Sequence, residues 1–216
     1  MGKLLQGING PFSGKVGTVV GYLVNDVQVV RGLRKRKRKK FSENELNQQA
    51  RFTIMNRFLV PLKDVLNITF AHLAFRMKGF NKAFSYNVKT AILGIRPNLS
   101  IDYPTVLLSR GDLTKAESAK AELSGHDMFK FTWTDNSGKG KASPADKVFA
   151  AAYEPVLGYW ISKMDLATRS SGVCELSLKN GGFEGMPVHV YLGFVAAEGN
   201  DASDSVYLGA VNVPPK

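Results

Sequence analysis

One cysteine, Cys174, is all that the 216 residues contain, so neither an intrachain disulfide framework nor a cysteine-based zinc site can be built. Cys174 reads as a small buried hydrophobe in a strand. No apolar run approaches the ~20 residues of a membrane-spanning helix. The first ten residues lack a cationic segment leading into an apolar stretch, so no signal peptide is expected. These absences point to a cytoplasmic protein without a membrane span, in which the sequons at Asn67-Ile68-Thr69 and Asn98-Leu99-Ser100 carry no weight.

Acidic residues are scarce in the first half. Residues 1–100 hold 18 Lys+Arg against 4 Asp+Glu, a net of +14, while residues 101–216 hold 11 against 14, a net of −3, and together these give the overall +11. The two halves therefore present different surfaces. A basic first half suits nucleic acid, anionic lipid or an acidic protein surface, in that order.

Catalytic motifs are missing as well. His72, His126 and His189 are far apart in sequence, and no Gly-x-Ser-x-Gly elbow, His-Glu-x-x-His pair or Gly-x-Gly-x-x-Gly turn occurs. The stretch from Gly10 through Gly14-Lys15-Val16 falls short of a phosphate-binding P-loop. Only three residues separate its glycines, and Val16 stands where a Ser or Thr would reach magnesium. Asp135, Asp146 and Asp204 stand beside turn residues and read as local braces. Arg110 and Arg169 read as loop braces acting through carboxylate contacts. The expectation is a non-enzyme with no cofactor, no metal site and no evident small-molecule substrate; a catalytic site assembled only in three dimensions is the remaining rival.

What is present is led by seven consecutive cations, Arg34, Lys35, Arg36, Lys37, Arg38, Lys39 and Lys40. Adjacent like charges repel and cannot be buried, so this run must lie in solvent or against a polyanion. Before it, glycines at 7, 10, 14, 17 and 21 punctuate a valine-rich text. Two β-branched runs around Asn25-Asp26 read as a hairpin whose outgoing strand, ending at Arg31, leads into the cations. After it, Ser42 with Glu45 forms a capping box. Leu46, Ala50, Ile54, Phe58, Leu62 and Val65 or Leu66 then mark one helical face, with Arg51 and Arg57 off the stripe. Pro61 is expected to break this helix, and a further helix is expected over 81–93.

From Tyr103 the texture changes to short apolar runs between turn clusters. Strands are expected at 105–109, 128–134, 147–153, 165–170, 174–178, 188–197 and 205–213, a spacing that argues for an antiparallel sandwich. Phe129, Phe131 and Trp133 alternate with polar residues and share a face, the role of a central Trp in an immunoglobulin-like or fibronectin-like sandwich. The fold class is thus α+β: an N-terminal β-hairpin plus helices over 1–98, then an Ig/fibronectin III-like β-sandwich over 99–216.

Several stretches are familiar. Gly10-Pro11-Phe12-Ser13-Gly14-Lys15-Val16-Gly17-Thr18-Val19-Val20-Gly21, the Val30-Arg31 pair and Gln48-Gln49-Ala50-Arg51-Phe52 followed by Phe58-Leu59-Val60-Pro61-Leu62 resemble an uncharacterised family of Bacteroidota proteins. Members also carry counterparts of Ser109-Arg110-Gly111-Asp112-Leu113, Trp133-Thr134-Asp135, Ala167-Thr168-Arg169-Ser170 and Ser203-Asp204-Ser205-Val206-Tyr207-Leu208-Gly209. The resemblance spans nearly the whole chain and implies a domain layout without any activity to carry over. A looser likeness links Val29-Val30-Arg31 and the Ser42/Glu45 helix start to phage and prophage structural proteins, which raises the expectation of a structural or assembly role.

The reading is a non-enzymatic structural or assembly protein, cytoplasmic or in a virion if phage-derived. Its polycationic arm would contact nucleic acid or an acidic subunit, with a homo-oligomer left open. The binding residues are Arg31, Arg34, Lys35, Arg36, Lys37, Arg38, Lys39, Lys40, Arg51 and Arg57. The alternative is a dedicated, sequence-nonspecific nucleic-acid-binding protein. Whether the basic surface continues beyond the arm through Arg76, Lys78, Lys82 and Lys89, with Phe75, Phe80, Phe84 or Tyr86 exposed for base stacking, separates the two.

Overall fold

Glycine-punctuated valine runs favour tight antiparallel turns, and the chain begins with an antiparallel sheet. The computed structural model describes residues 2–3, 12–24, 27–33, 40–125, 127–179, 182–183 and 185–214, and it separates into two units, Met1–Ser42 and Glu43–Lys216. In the first, β1 (Gly2–Lys3), β2 (Gly14–Val16), β3 (Val19–Val24) and β4 (Val27–Gly32) lie in the order β1-β4-β3-β2. Val24 pairs with Val27, the register of the expected two-residue hairpin, while Asn25 and Asp26 lie outside the described residues. Phe12 lies across β3 at Gly21: a Cβ there would sit 2.5 Å from the Phe12 carbonyl oxygen, so only glycine admits this approach. The Gln28 side-chain amide, on the same face, donates to that carbonyl.

The second unit opens with α1 (Glu43–Leu59), which ends where expected: Pro61 sits in a 3₁₀ turn, Val60–Leu62, before α2 (Lys63–Thr69). After α3 (Gly79–Thr90) comes a small hairpin of β5 (Ile92–Ile95) and β6 (Asn98–Ile101). The helix expected over 81–93 therefore stops three residues early. Ile92 to Ile95 pair with Ile101 to Asn98, and at Gly94 φ is +82° with the Asn98 carbonyl 2.2 Å from where a Cβ would lie.

Seven further strands complete the unit: β7 (Glu117–Leu123), β8 (Met128–Thr134), β9 (Lys147–Glu154), β10 (Tyr159–Lys163), β11 (Val173–Ser177), β12 (Pro187–Val195) and β13 (Val206–Asn212). They form a four-stranded antiparallel sheet, β10-β9-β12-β13, and a three-stranded one, β11-β8-β7, an Ig/fibronectin III-like sandwich. Phe129, Phe131 and Trp133 project together into the core between the sheets, as their alternation implied.

Two of the expected strands are corrected. Residues 105–109 are not a strand, because side chains take their backbone groups: Asn87 bonds both the N–H and the carbonyl of Leu107, Thr69 donates to the Leu108 carbonyl, and Ser205 accepts from the Leu108 N–H. Residues 165–170 make one isolated bridge, Thr168 with Lys147, and run into a 3₁₀ turn, Arg169–Ser171, which turns the Arg169 side chain inward. Conversely, β7 and β10 were not expected. The β7 sequence, Glu-Ser-Ala-Lys-Ala-Glu-Leu, has the propensity of a helix and is held extended by pairing with β8.

A boundary expected at 98/99 falls inside the second unit. The reason is packing. On β9, Val148, Ala150 and Ala152 face the sandwich core, while Phe149, Ala151 and Tyr153 face the opposite way, into a second core built with Met55, Phe58, Leu59, Leu62 and Leu66. Phe58 meets the Tyr153 ring edge-on at 4.8 Å and Trp160 at 5.0 Å, and the Trp160 indole N–H donates to the Phe58 carbonyl at 2.8 Å. Helices and sandwich thus share a core.

Residues 43–216 expressed alone should unfold in one cooperative urea transition. The fragment 99–216, with Phe149, Tyr153 and Tyr191 uncovered, should be markedly less stable and bind a hydrophobic dye; equal midpoints for the two fragments would refute the shared core. Phe58→Ala and Trp133→Ala should each cost on the order of 3–5 kcal/mol, because each deletes a large buried ring.

Candidate functional site

α3 is locked on one side and bare on the other. Gly79 lets it approach α2 closely, since a Cβ there would lie 2.5 Å from the Leu66 carbonyl. The Asn67 side chain accepts from the Phe80 N–H at 3.0 Å, satisfying a first-turn donor. Ala83 and Val88 are buried, as is Asn87, whose amide bonds the Ala83 and Leu107 carbonyls. With that face fixed, helical geometry puts Lys78, Lys82, Ser85 and Lys89 in a row on the other. Between Asp64 and Asp102 the chain carries no carboxylate, while Arg76, Lys78, Lys82, Lys89 and Arg96 all fall there. Among the described residues no ion pair engages Arg76, Lys78, Lys82 or Lys89. Lys78 stands at the helix N-terminus, the end where the helix dipole disfavours a cation.

Four aromatic residues, Phe75, Phe80, Phe84 and Tyr86, fall in α3 or just before it. Phe75 is 80% exposed with the Arg76 guanidinium 5.0 Å from its centroid, and Arg110 lies 4.6 Å over the Tyr86 ring, between Lys82 and Lys89 on the helix. Phe80 and Phe84 are half-buried, packed against the helical core and each other. Of the four rings considered for base stacking, Phe75 is the freely exposed one. Cations spaced along a helix suit a phosphate backbone without fixing any base.

The residues expected to bind are dispersed. Arg34, Lys35, Arg36, Lys37, Arg38 and Lys39 lie outside the described residues. Lys40 is exposed; Arg31, on β4, is exposed and lies 5.5 Å from the Tyr22 ring centre. Arg51 is committed elsewhere: it donates to the Val88 carbonyl at 3.0 Å, satisfying one of the last carbonyls of α3. Arg57 is exposed at the mouth of a cleft beside Tyr103 and Tyr153. The α3 row needed the helix register to become visible as one face, and the cleft is made by segments about 100 residues apart in sequence, so neither could be read from local pattern.

Polar groups of the sandwich serve as braces. Arg169 is fully buried; it donates to Asp146 (2.9 Å), to the Asn136 side chain (2.7 Å) and to the Thr114 carbonyl (2.9 Å), with its guanidinium 3.8 Å from the Phe194 ring centre. The Trp133 indole donates to the Arg169 carbonyl at 2.8 Å. Asp135 accepts from the Ser137 N–H and hydroxyl as a turn brace, whereas Asp204, read as a local brace, accepts from the Gly111 N–H, 93 residues away in sequence. Arg110, read as a carboxylate brace, instead stacks on Tyr86. His72 lies 3.4 Å from Asp201; the His189 ring bonds the Tyr207 hydroxyl at 2.7 Å, and burial pushes its pKa down. His126 lies outside the described residues. Among the described residues no group of three or more His, Cys, Asp or Glu could hold a metal, and no helix is long and apolar enough to cross a membrane.

A protein-family match covers residues 11–209, which in this chain take in the basic segment, the helices and nearly all of the sandwich. The chain belongs to DUF6266, a family of unknown function. No curated protein matches it. Among solved structures, the solution structure of the fibronectin III domain of the human collagen alpha-1(XX) chain is similar at 12% identity and a TM-score of 0.35, over 48% of this chain and 87% of that one.

Replacing Arg169 with Met should destabilise the fold by about 3–5 kcal/mol, because Asp146 would be left buried with its charge unpaired. Lys at 169 should rescue little, since one ammonium cannot span three acceptors. Urea denaturation measures both, and a shift below about 1 kcal/mol for Arg169→Met would show the buried pair to be dispensable.

Proposed function

We propose that this DUF6266 member is a non-enzymatic structural or assembly protein that holds a polyanion, nucleic acid foremost, through two basic elements: the run of residues 34–40 and the outer face of α3. The observation that carries the proposal is the row Lys78, Lys82 and Lys89, which no carboxylate of the described residues neutralises. A row kept only for solubility would ordinarily be interspersed with acidic residues, as charged surfaces usually are. The looser likeness of Val29-Val30-Arg31 and the Ser42/Glu45 helix start to phage and prophage structural proteins favours the assembly role, and the setting on this reading is the cytoplasm or a virion.

A second reading, a dedicated sequence-nonspecific nucleic-acid-binding protein, gains support from the same α3 row, which adds cations to those of the arm, and from the exposed Phe75 just before that helix in sequence. Mass in solution separates the two: assembly requires ordered oligomers or a larger complex, whereas a dedicated binder coats nucleic acid as a monomer or dimer.

Each phosphate neutralised releases a condensed counterion, so log affinity for duplex DNA should fall with log salt at about 0.9 per contact. Replacing Arg34, Arg36, Arg38 and Lys40 with Ser should flatten that slope by up to about four contacts, and Lys78, Lys82 and Lys89 with Gln by up to about three, with no change in sequence preference. Unchanged slopes in both variants, or no binding by the parent at low salt, would rule out nucleic acid. The nearest substitute partner is then the net-acidic second half of a neighbouring copy.

A further inference from the structure

Apart from the α3 face, the second unit carries an open cleft of about 430 Å³, within the range of small-molecule sites. α1 supplies Arg57 and Phe58, β6 supplies Leu99, the segment after it Tyr103, β9 Tyr153, and the β9–β10 connection Val156. Its character is set by one cation and two phenols over apolar walls.

Arg57 is exposed, and among the described residues no carboxylate pairs with it. The nearby acid, Glu154, is fully buried and already engaged: its two oxygens accept from the Val156 N–H (2.6 Å) and the Leu157 N–H. That engagement shapes the rim, holding the connection so that Val156 stays 75% exposed with no apolar cover. Gly158 has φ +66°, a conformation that favours glycine, and its backbone runs beside the Tyr153 hydroxyl, which lies 4.0 Å from where a Cβ would stand. Burial raises the pKa of both phenols, Tyr103 to about 12, so each remains protonated and able to donate.

A guanidinium fork with a phenolic donor matches a carboxylate, which accepts from both at once. A nucleic-acid backbone would find one cation here rather than a row, so the cleft is distinct from the polyanion face. We propose that this cleft binds a small amphipathic carboxylate, its carboxyl on Arg57 and Tyr153 and its apolar body against Phe58, Leu99 and Val156.

Isothermal titration of the full chain with 1-naphthaleneacetate and with the uncharged 1-naphthaleneacetamide tests this. The acid should bind at least about tenfold tighter than the amide, a difference that Arg57→Gln abolishes by weakening the acid alone. Val156→Trp, which fills the mouth from an exposed position, should weaken both ligands while leaving the circular dichroism unchanged. Equal affinities for acid and amide, an unaltered acid affinity in Arg57→Gln, or no heat from either ligand at millimolar concentration would each overturn the site.

Discussion

Sheet β10-β9-β12-β13 is apolar on both sides, and neither side can be left to water. Val148, Ala150 and Ala152 of β9, with Val190, Leu192 and Phe194 of β12, demand the second sheet; Phe149, Ala151, Tyr153 and Tyr191 demand the helices. Burying a side chain such as Phe149 contributes about 1.5–3 kcal/mol, and three large rings on the helical side, Phe149, Tyr153 and Tyr191, make α1 to α3 indispensable. Gly193 belongs to the same constraint. A Cβ there would lie 2.3 Å from the Phe149 ring, so the ring lies across the strand only because residue 193 has no side chain.

The surfaces follow from this constraint. A helix that packs its apolar face on α2 and the rest of the helical core must turn its other face outward, and on α3 that face holds lysine and no acid. The sandwich edge behaves in the opposite way: Lys139, Lys141 and Lys147 are each paired, with Glu117, Asp112 and Asp165 respectively. Lys141 holds the Asp112 carboxyl below its usual range through their hydrogen bond. Such exposed pairs contribute little to stability, but they leave that surface nearly neutral. The α3 lysines, with no ion pair among the described residues, thus differ from the paired lysines of that edge.

Much of the fold was legible where local pattern and burial agree. Phe129, Phe131 and Trp133 alternate because one side of β8 is core, and Pro61 ends α1 because its ring cannot continue the helix. Legibility failed where distant groups override local preference. Residues 105–109 look like a strand, but their polar backbone is satisfied by Thr69, Asn87 and Ser205, the last about 100 residues away. Residues 117–123 look helical until β8 pairs with them. Arg169 was recognisable as a brace from its turn, yet its complete burial depends on Asn136 and Thr114, which no local spacing relates to it. Charge gave the basic half; the register of α3 was needed to gather Lys78, Lys82 and Lys89 on one face.

Lysine footprinting of the full chain with an acylating reagent, with and without saturating duplex DNA at low salt, tests the polyanion face most directly. Lys78, Lys82 and Lys89 should lose reactivity on binding, while Lys120, Lys130 and Lys163, exposed on strands of the sandwich, should not. Protection spread evenly over the sandwich lysines, or α3 lysines that react as fast in the complex as in the free protein, would contradict the assignment.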